Sequence, residues 1–463
     1  MSERATKGVQ LLLGDPKKAI IRLSIPMMIG MLVQTIYNLA DAIWVAGLGS
    51  EELAAIGLFF PVFMGIISLA SGLGIGASSA ISRRIGAKDK KGADNVAIHS
   101  LLLTLLLGFL ITASMLPSID RIFALMGAKG EVGELAVEYS RVLLAAAIIM
   151  VFNNVANGIL RGEGDTKRAM YALVLGSGLN IILDPIFIYT LGFGVVGAAY
   201  ATVLSMALTS VFLGYWLFIK RDTYVHITLK DFSANKKIIL DIFRVGLPSS
   251  LSQLSMSFAM FFLNTIILIS SNEHGVAVFT SAWRITMIGI VPNLGMAAAT
   301  TSVTGAAYGA KDAEKLKTAY LYAIKISLLI EFCIVLVVEL FTPQIAYLFT
   351  YSEASSGILS DLINALRILV IFLLFTPFGM MTAAMFQGVG LGERSLVISI
   401  LRTIIMQVGF AYFMALYVNM GLTGVWVGIV TGNIIASSLG FLWGMLTLKG
   451  IKERFTTSPF RKH

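Results

Sequence analysis

The feature that most restricts this chain is a succession of apolar runs about as long as a bilayer is thick, among them Leu101 to Leu116, Leu328 to Phe341 and Ile368 to Phe378 with their flanks. About 20 such residues carry a helix across the hydrocarbon core, where only a backbone bonded to itself is tolerated. Breaks at Gly, Pro and charged residues place twelve spans near 20–48, 54–80, 95–117, 134–160, 168–190, 195–219, 239–271, 276–306, 319–342, 360–387, 395–417 and 423–448. Only 13% of the 463 residues are charged, about half the share in soluble domains. The expected fold is therefore an all-α polytopic membrane protein. The stretch from Met1 to Ala19 lacks the small-residue cleavage pattern of a secretory signal, so the first span is expected to stay in the mature chain.

A net charge of +9 suggests nucleic acid until the charges are placed on the spans. Of 35 Lys and Arg, 26 fall in loops and termini on one side, seven within spans, and only Arg121 and Lys129 on the other side. Under the positive-inside rule this asymmetry puts both termini in the cytoplasm and demands an even number of spans. The basic charge is a topology signal, and no nucleic-acid partner is expected.

The chain repeats itself once, its second part echoing the first in order. Arg22-Leu-Ser-Ile-Pro26 recurs as Arg244-Val-Gly-Leu-Pro248, and Gly86-Ala-Lys-Asp89 as Gly309-Ala-Lys-Asp312. Gly162 and Gly164 match Gly388 and Gly390, and Gly194 and Gly197 match Gly421 and Gly424. These matches keep chain order and nearly constant spacing, which predicts two pseudo-symmetric six-helix lobes, residues 1–219 and 239–463, joined by a cytoplasmic linker at 220–238. Parallel repeats of this kind enclose a cavity that rocking exposes to either side, the geometry of alternating access.

Charge inside a membrane is costly, so intramembrane carboxylates mark candidate sites. Counted along the first span from Arg22 and along the fifth from Arg168, Asp41 and Asp184 reach a similar depth in the outer half. Gln34, Tyr37, Asn38 and Asp41 follow the i, i+3, i+4, i+7 pattern and form one polar stripe. Asn180 and Asp184 share a face beside Pro185, and Thr202 reaches the same level from the sixth span. Carboxylates, an amide and a hydroxyl suit a hard monovalent cation or a shared proton. The register that matches Arg22 with Arg244 carries Asp41 to Leu263, and the register of Gly162 with Gly388 carries Asp184 to Phe410, so the second lobe lacks the acids. Pro26 removes a helix donor and is a candidate hinge. Glu331, mid-span on the ninth helix, is read either as a further relay carboxylate or as a partner of Arg284 or Arg367.

Other chemistry finds no support in the residues. No G-x-x-x-x-G-K-[ST] phosphate loop is present. Gly72, Gly74 and Gly76 lie inside an apolar span, where they favour close helix packing over nucleotide binding. The four histidines are scattered and the single Cys333 has no partner, so neither a metal centre nor a cofactor is expected, and the chain is not read as an enzyme.

Several segments resemble the multidrug and toxic compound extrusion (MATE) transporters, in particular archaeal members of the DNA-damage-inducible-F-like branch. They are Leu23-Ser-Ile-Pro-Met-Met-Ile-Gly30, Gln34-Thr-Ile-Tyr-Asn-Leu-Ala-Asp41, Gly158-Ile-Leu-Arg-Gly-Glu-Gly-Asp165, Leu179-Asn-Ile-Ile-Leu-Asp-Pro185 and Gly194-Val-Val-Gly-Ala-Ala-Tyr-Ala-Thr202. The resemblance implies a MATE-like fold and export of organic, often cationic or amphipathic, solutes in exchange for Na⁺ or H⁺. It implies a coupling-ion site at Asp41, Asn180, Asp184 and Thr202. Tyr37, Asn38, Tyr139, Asn153 and Asn157 match positions that line the N-lobe cavity or its hydrogen-bond network, and Pro26 matches a proposed bending point. A monomer in the plasma membrane is expected. The rival reading is a flippase for a lipid-linked precursor, a class that commonly carries two further spans and a strongly basic cavity.

Overall fold

The computed structural model describes residues 6–220, 222–228, 232–350 and 356–457. The first residues and the basic tail that enter the charge count, Arg4, Arg461 and Lys462 among them, lie outside these. Apolar helices long enough to cross a bilayer run along the whole chain, ten as single helices and an eleventh as the pair Gly130–Ala145 and Ala147–Gly162, bent by 51°. One of the ten, Lys236–Gly309, has 74 residues, over 100 Å at 1.5 Å per residue, and cannot be one crossing. It breaks at Ser271 and Asn272, whose φ of 55° leaves helical geometry. Both of its distant parts, near Gly246 and near Ala306, press on the helix Ser50–Gly86, so the chain doubles back and supplies two spans. Twelve crossings result among the described residues.

Caps and turns explain the internal repeat. Lys88 and Lys311 both adopt positive φ, 57° and 56°. The next residues, Asp89 and Asp312, each cap a helix by accepting a backbone N–H at 2.9 Å. Gly164 and Gly390 share a φ of 81°, a conformation that favours glycine. The repeated motifs are thus turn chemistry used twice, each time between the second and third or the fourth and fifth spans of a half.

The glycine triplet of the second span works on two faces. Gly72 and Gly76 lie against Ser250, Gly246 and Ile242 of the seventh span, while Gly74 faces the carbonyl of Asn154 on the fourth. A Cβ at Gly72 or Gly76 would collide with the opposite helix. Residues two apart point to different sides and residues four apart share one, which is why G-x-G-x-G packs against two neighbours.

The halves meet on the basic face, the side that carries most of the Lys and Arg. Among the described residues, the hydrogen bonds and ion pairs joining them run from Gln253 and Ser71 (3.0 Å) to that face. Arg83 pairs with Asp241 at 3.0 Å, and Lys315 donates to the carbonyl of Leu13 at 2.6 Å. The contact keeps the symmetry of the repeat. Gly72 abuts Ser250, and their counterparts Gly295 and Met28 abut each other. Gly305 and its counterpart Ser82 touch, so the pseudo-twofold axis passes between them.

The segment between the halves belongs to the first. Arg168 holds Asp222 at 2.6 Å. Glu163 accepts the Val225 N–H at 3.0 Å, Asp94 accepts that of His226 at 2.7 Å, and Asn95 that of Ser233 at 3.0 Å. Phe232 packs on His99, and Lys90 lies over the Tyr224 ring. A polar stretch read from sequence as a linker is a strap sewn onto one half.

Candidate functional site

Spans one (Pro16–Ala46), five (Thr166–Pro185) and six (Gly194–Gly214) bring the predicted acids together in the first half. Helical spacing alone puts Tyr37 and Asp41 one turn apart on the first span, and Asn180 and Asp184 one turn apart on the fifth. Gly30 lets spans one and five approach, because a Cβ there would meet the Leu173 side chain at 2.9 Å and the Met170 Cα at 3.4 Å.

Asp184 is fully buried, Asn180 and Thr202 are nearly so, and Asp41 is half-buried beside them. The carboxyls of Asp41 and Asp184 lie within hydrogen-bond reach of each other. Two carboxylates this close need a proton or a cation between them. With its amide oriented to satisfy both sides, Asn180 donates to Asp184 Oδ2 at 2.8 Å and accepts from the Thr202 hydroxyl and N–H at 3.2 Å. The Tyr37 hydroxyl also reaches Thr202. Tyr139 closes the group from the fourth span, its ring set edge-on to Phe59 at 5.8 Å. Above the acids, Tyr189 donates to the Trp44 carbonyl and its ring meets Trp44 at 6.3 Å, which ties the ends of spans one and five.

Other predicted residues stand apart from this cluster. Gln34 and Asn38 continue the polar stripe but are exposed. Asn153 donates to the Met206 carbonyl at 2.9 Å and accepts from Ser210 at 2.8 Å, one turn along the sixth span from Thr202. Asn157 bonds the Ala169 carbonyl at 3.4 Å, fifteen residues down the fifth span from Asp184 and so about 22 Å away. Both asparagines hold spans together and neither is bonded to the acids. Pro26 lies within a helix that continues through it.

Sequence reasoning passed over Glu163. This residue follows the last turn of the fourth span, is 1% exposed, and bonds the strap at Val225. Burial pushes its carboxyl up from 4.5 to about 8. A glutamate between Gly162 and Gly164 was the only available signal. Among the described residues Glu331 has no basic partner: Arg284 and Arg367 are both exposed, and neither Glu331 oxygen is bonded by a protein group. Asp361, by contrast, pairs with His274 at 2.7 Å.

A polytopic helical bundle whose acids are buried within its spans fits the class of membrane transporters. The MatE family model matches residues 26–186 and 248–413, one stretch in each half, and the chain belongs to that family. Over 440 residues the chain is 28% identical to the multidrug export protein MepA of Staphylococcus aureus strain N315, covering 95% of each chain. A solved structure described as the outward-facing conformation of a multidrug resistance MATE family transporter superposes with a TM-score of 0.96 at 70% identity, over 97% of this chain and 100% of that one. A MATE structure in the bent conformation gives 0.93 at 69% identity, over 98% and 100%.

Proposed function

We propose that the protein is a secondary active multidrug exporter, antiporting organic, often cationic or amphipathic, solutes against Na⁺ or H⁺. The observation that carries this is the buried meeting of Asp41 and Asp184 with Asn180 and Thr202 in one half only. Such a set binds a cation or a proton and is worthless as apolar packing. Residues 1–219 and 239–463 are the two lobes that rock, and the 220–238 strap travels with the first. The basic face is the cytoplasmic one, with both termini on it, in the plasma membrane, and the protein works as a monomer.

The closed contact on the basic face and the likeness to an outward-facing relative support a resting state open to the outside. In that state the ion enters the acid pair from outside, and rocking carries it inward as the solute leaves. Pro26, which lacks the donor that would bond the carbonyl of Arg22, is where the first span bends. Purified protein reconstituted into vesicles tests the reading. A fluorescent organic cation should move against an imposed Na⁺ or pH gradient, and equal movement without any gradient would sink it.

A further inference from the structure

The second half holds a polar cluster that the exchange just described does not use. Glu331 of the ninth span is fully buried, and its two oxygens receive no hydrogen bond from the described residues. Ser327, one turn away on the same buried face, has a hydroxyl without a partner among them. On the eighth span, Asn293 is 1% exposed, and neither its amide nitrogen nor its amide oxygen is bonded. Buried polar groups are almost always paired, so three exceptions on neighbouring spans call for an explanation.

Their depths coincide. The eighth and ninth spans form an antiparallel hairpin around Lys311, and a Cβ on Gly289 would touch Ile334 at 3.5 Å. Asn293 lies four residues deeper than Gly289 and Glu331 three residues deeper than Ile334, which sets them within about 1.5 Å of one level. Between them Pro292 interrupts the helix ladder and frees the carbonyl of Ile288.

We infer that Glu331, Ser327 and Asn293 form a binding site for a sodium-sized monovalent cation in the second half. The donor set supplies one charge and two neutral oxygens, enough to balance a single positive charge and too little for a divalent ion. No basic side chain among the described residues neutralises Glu331, and a buried charge without a partner is strongly unfavourable. The site is not the repeat of the first-half acids, since those lie on spans one, five and six. It is an independent place on spans eight and nine.

Thermal unfolding of the detergent-purified protein, with Na⁺ exchanged for K⁺ at constant ionic strength, tests this directly. The Asp41→Asn/Asp184→Asn variant removes the first-half acids, and it should keep a saturable rise in midpoint with Na⁺. Adding Glu331→Gln should abolish that rise, and adding Asn293→Leu or Ser327→Ala instead should raise the apparent Kd at least tenfold. Should Glu331→Gln fail to fold, the latter two decide. A double variant whose midpoint is the same in Na⁺ and K⁺, or a Na⁺ response untouched by the second-half substitutions, overturns the site. Failure of the first-half reading looks different, because wild type and double variant would then respond alike.

Discussion

Ser79 and Ser302 stand at equivalent positions of the two halves, in the register that matches Gly86 with Gly309, and each donates a hydrogen bond into the half opposite. Ser79 Oγ bonds the carbonyl of Gln387 at 2.5 Å, and Ser302 Oγ bonds the carbonyl of Arg161 at 2.9 Å. Gln387 and Arg161 are themselves counterparts, in the register of Gly388 with Gly162. The closure of the basic face is therefore one latch made twice.

Removing either serine hydroxyl should weaken that closure by about 1 kcal/mol, the net worth of one neutral hydrogen bond, and removing both by about twice that. Spin labels at the exposed positions Lys91 and Lys317 report the opening. Ser79→Ala and Ser302→Ala should each raise the long-distance population about equally, and the double variant should raise it further. An unchanged distribution in the double variant would show that the serines do not hold the face shut.

Glycine supplies the same symmetry in another form. A Cβ on Gly86 would strike the carbonyl of Ala306, and one on Gly309 would strike the carbonyl of Arg83, again a pair of counterparts. Gly86→Ala and Gly309→Ala should both populate the opened basic face, whereas Gly178→Ala, with open space around it, should not. The same label pair tests this, and a closed distribution in both seam variants would contradict the packing argument.

Glu163 makes the strap pH-sensitive. Its carboxyl is raised to about 8 in the folded protein from an ordinary 4.5. The folded state therefore binds the proton more tightly than the unfolded one. The stability this contributes is complete below about 4.5 and is lost as pH rises through about 8, at about 1.4 kcal/mol per pKa unit at most. Thermal midpoints between pH 5 and 9 should fall in wild type and fall less in Glu163→Gln. Equal slopes would mean that burial does not raise this carboxyl in the folded protein.

Asp41→Asn and Asp184→Asn should each abolish ion-driven export while leaving a folded, membrane-inserted protein, because an amide keeps the shape but exchanges no cation. Flux of a fluorescent cation in vesicles measures it. Wild-type flux in either variant would remove the pair from the mechanism.

Much of this was legible in the chain because lipid enforces simple rules. Apolar length marked the spans, and the Gly86-Ala-Lys-Asp89 and Gly309-Ala-Lys-Asp312 repeats announced the duplication because the same capped turn occurs twice. Helical spacing placed Tyr37 and Asp41 on one face and Asn180 and Asp184 on another, and a count of depth from Arg22 and Arg168 set the acids level. What stayed hidden depends on contacts distant in sequence. The bond from Asn157 to the Ala169 carbonyl is one, because no pattern within one helix names the neighbour that its side chain meets. The strap escaped notice because backbone N–H groups, such as those of Val225 and His226, do the binding and leave no trace in side-chain composition. Glu331 invited an arginine partner on grounds of charge, but side-chain direction set Arg284 and Arg367 outward.

The central claim is that drug and ion compete through the acid pair, and equilibrium binding of a fluorescent organic cation to the purified protein tests it most directly. A cationic solute and a bound Na⁺ or proton draw on the same negative field, so each weakens the other's binding by the same factor. Raising Na⁺ at constant ionic strength, or lowering pH, should raise the apparent Kd of the cation severalfold in wild type. Asp41→Asn should flatten that dependence, and a neutral substrate should show a smaller one. A wild-type affinity that ignores both Na⁺ and pH would contradict the account.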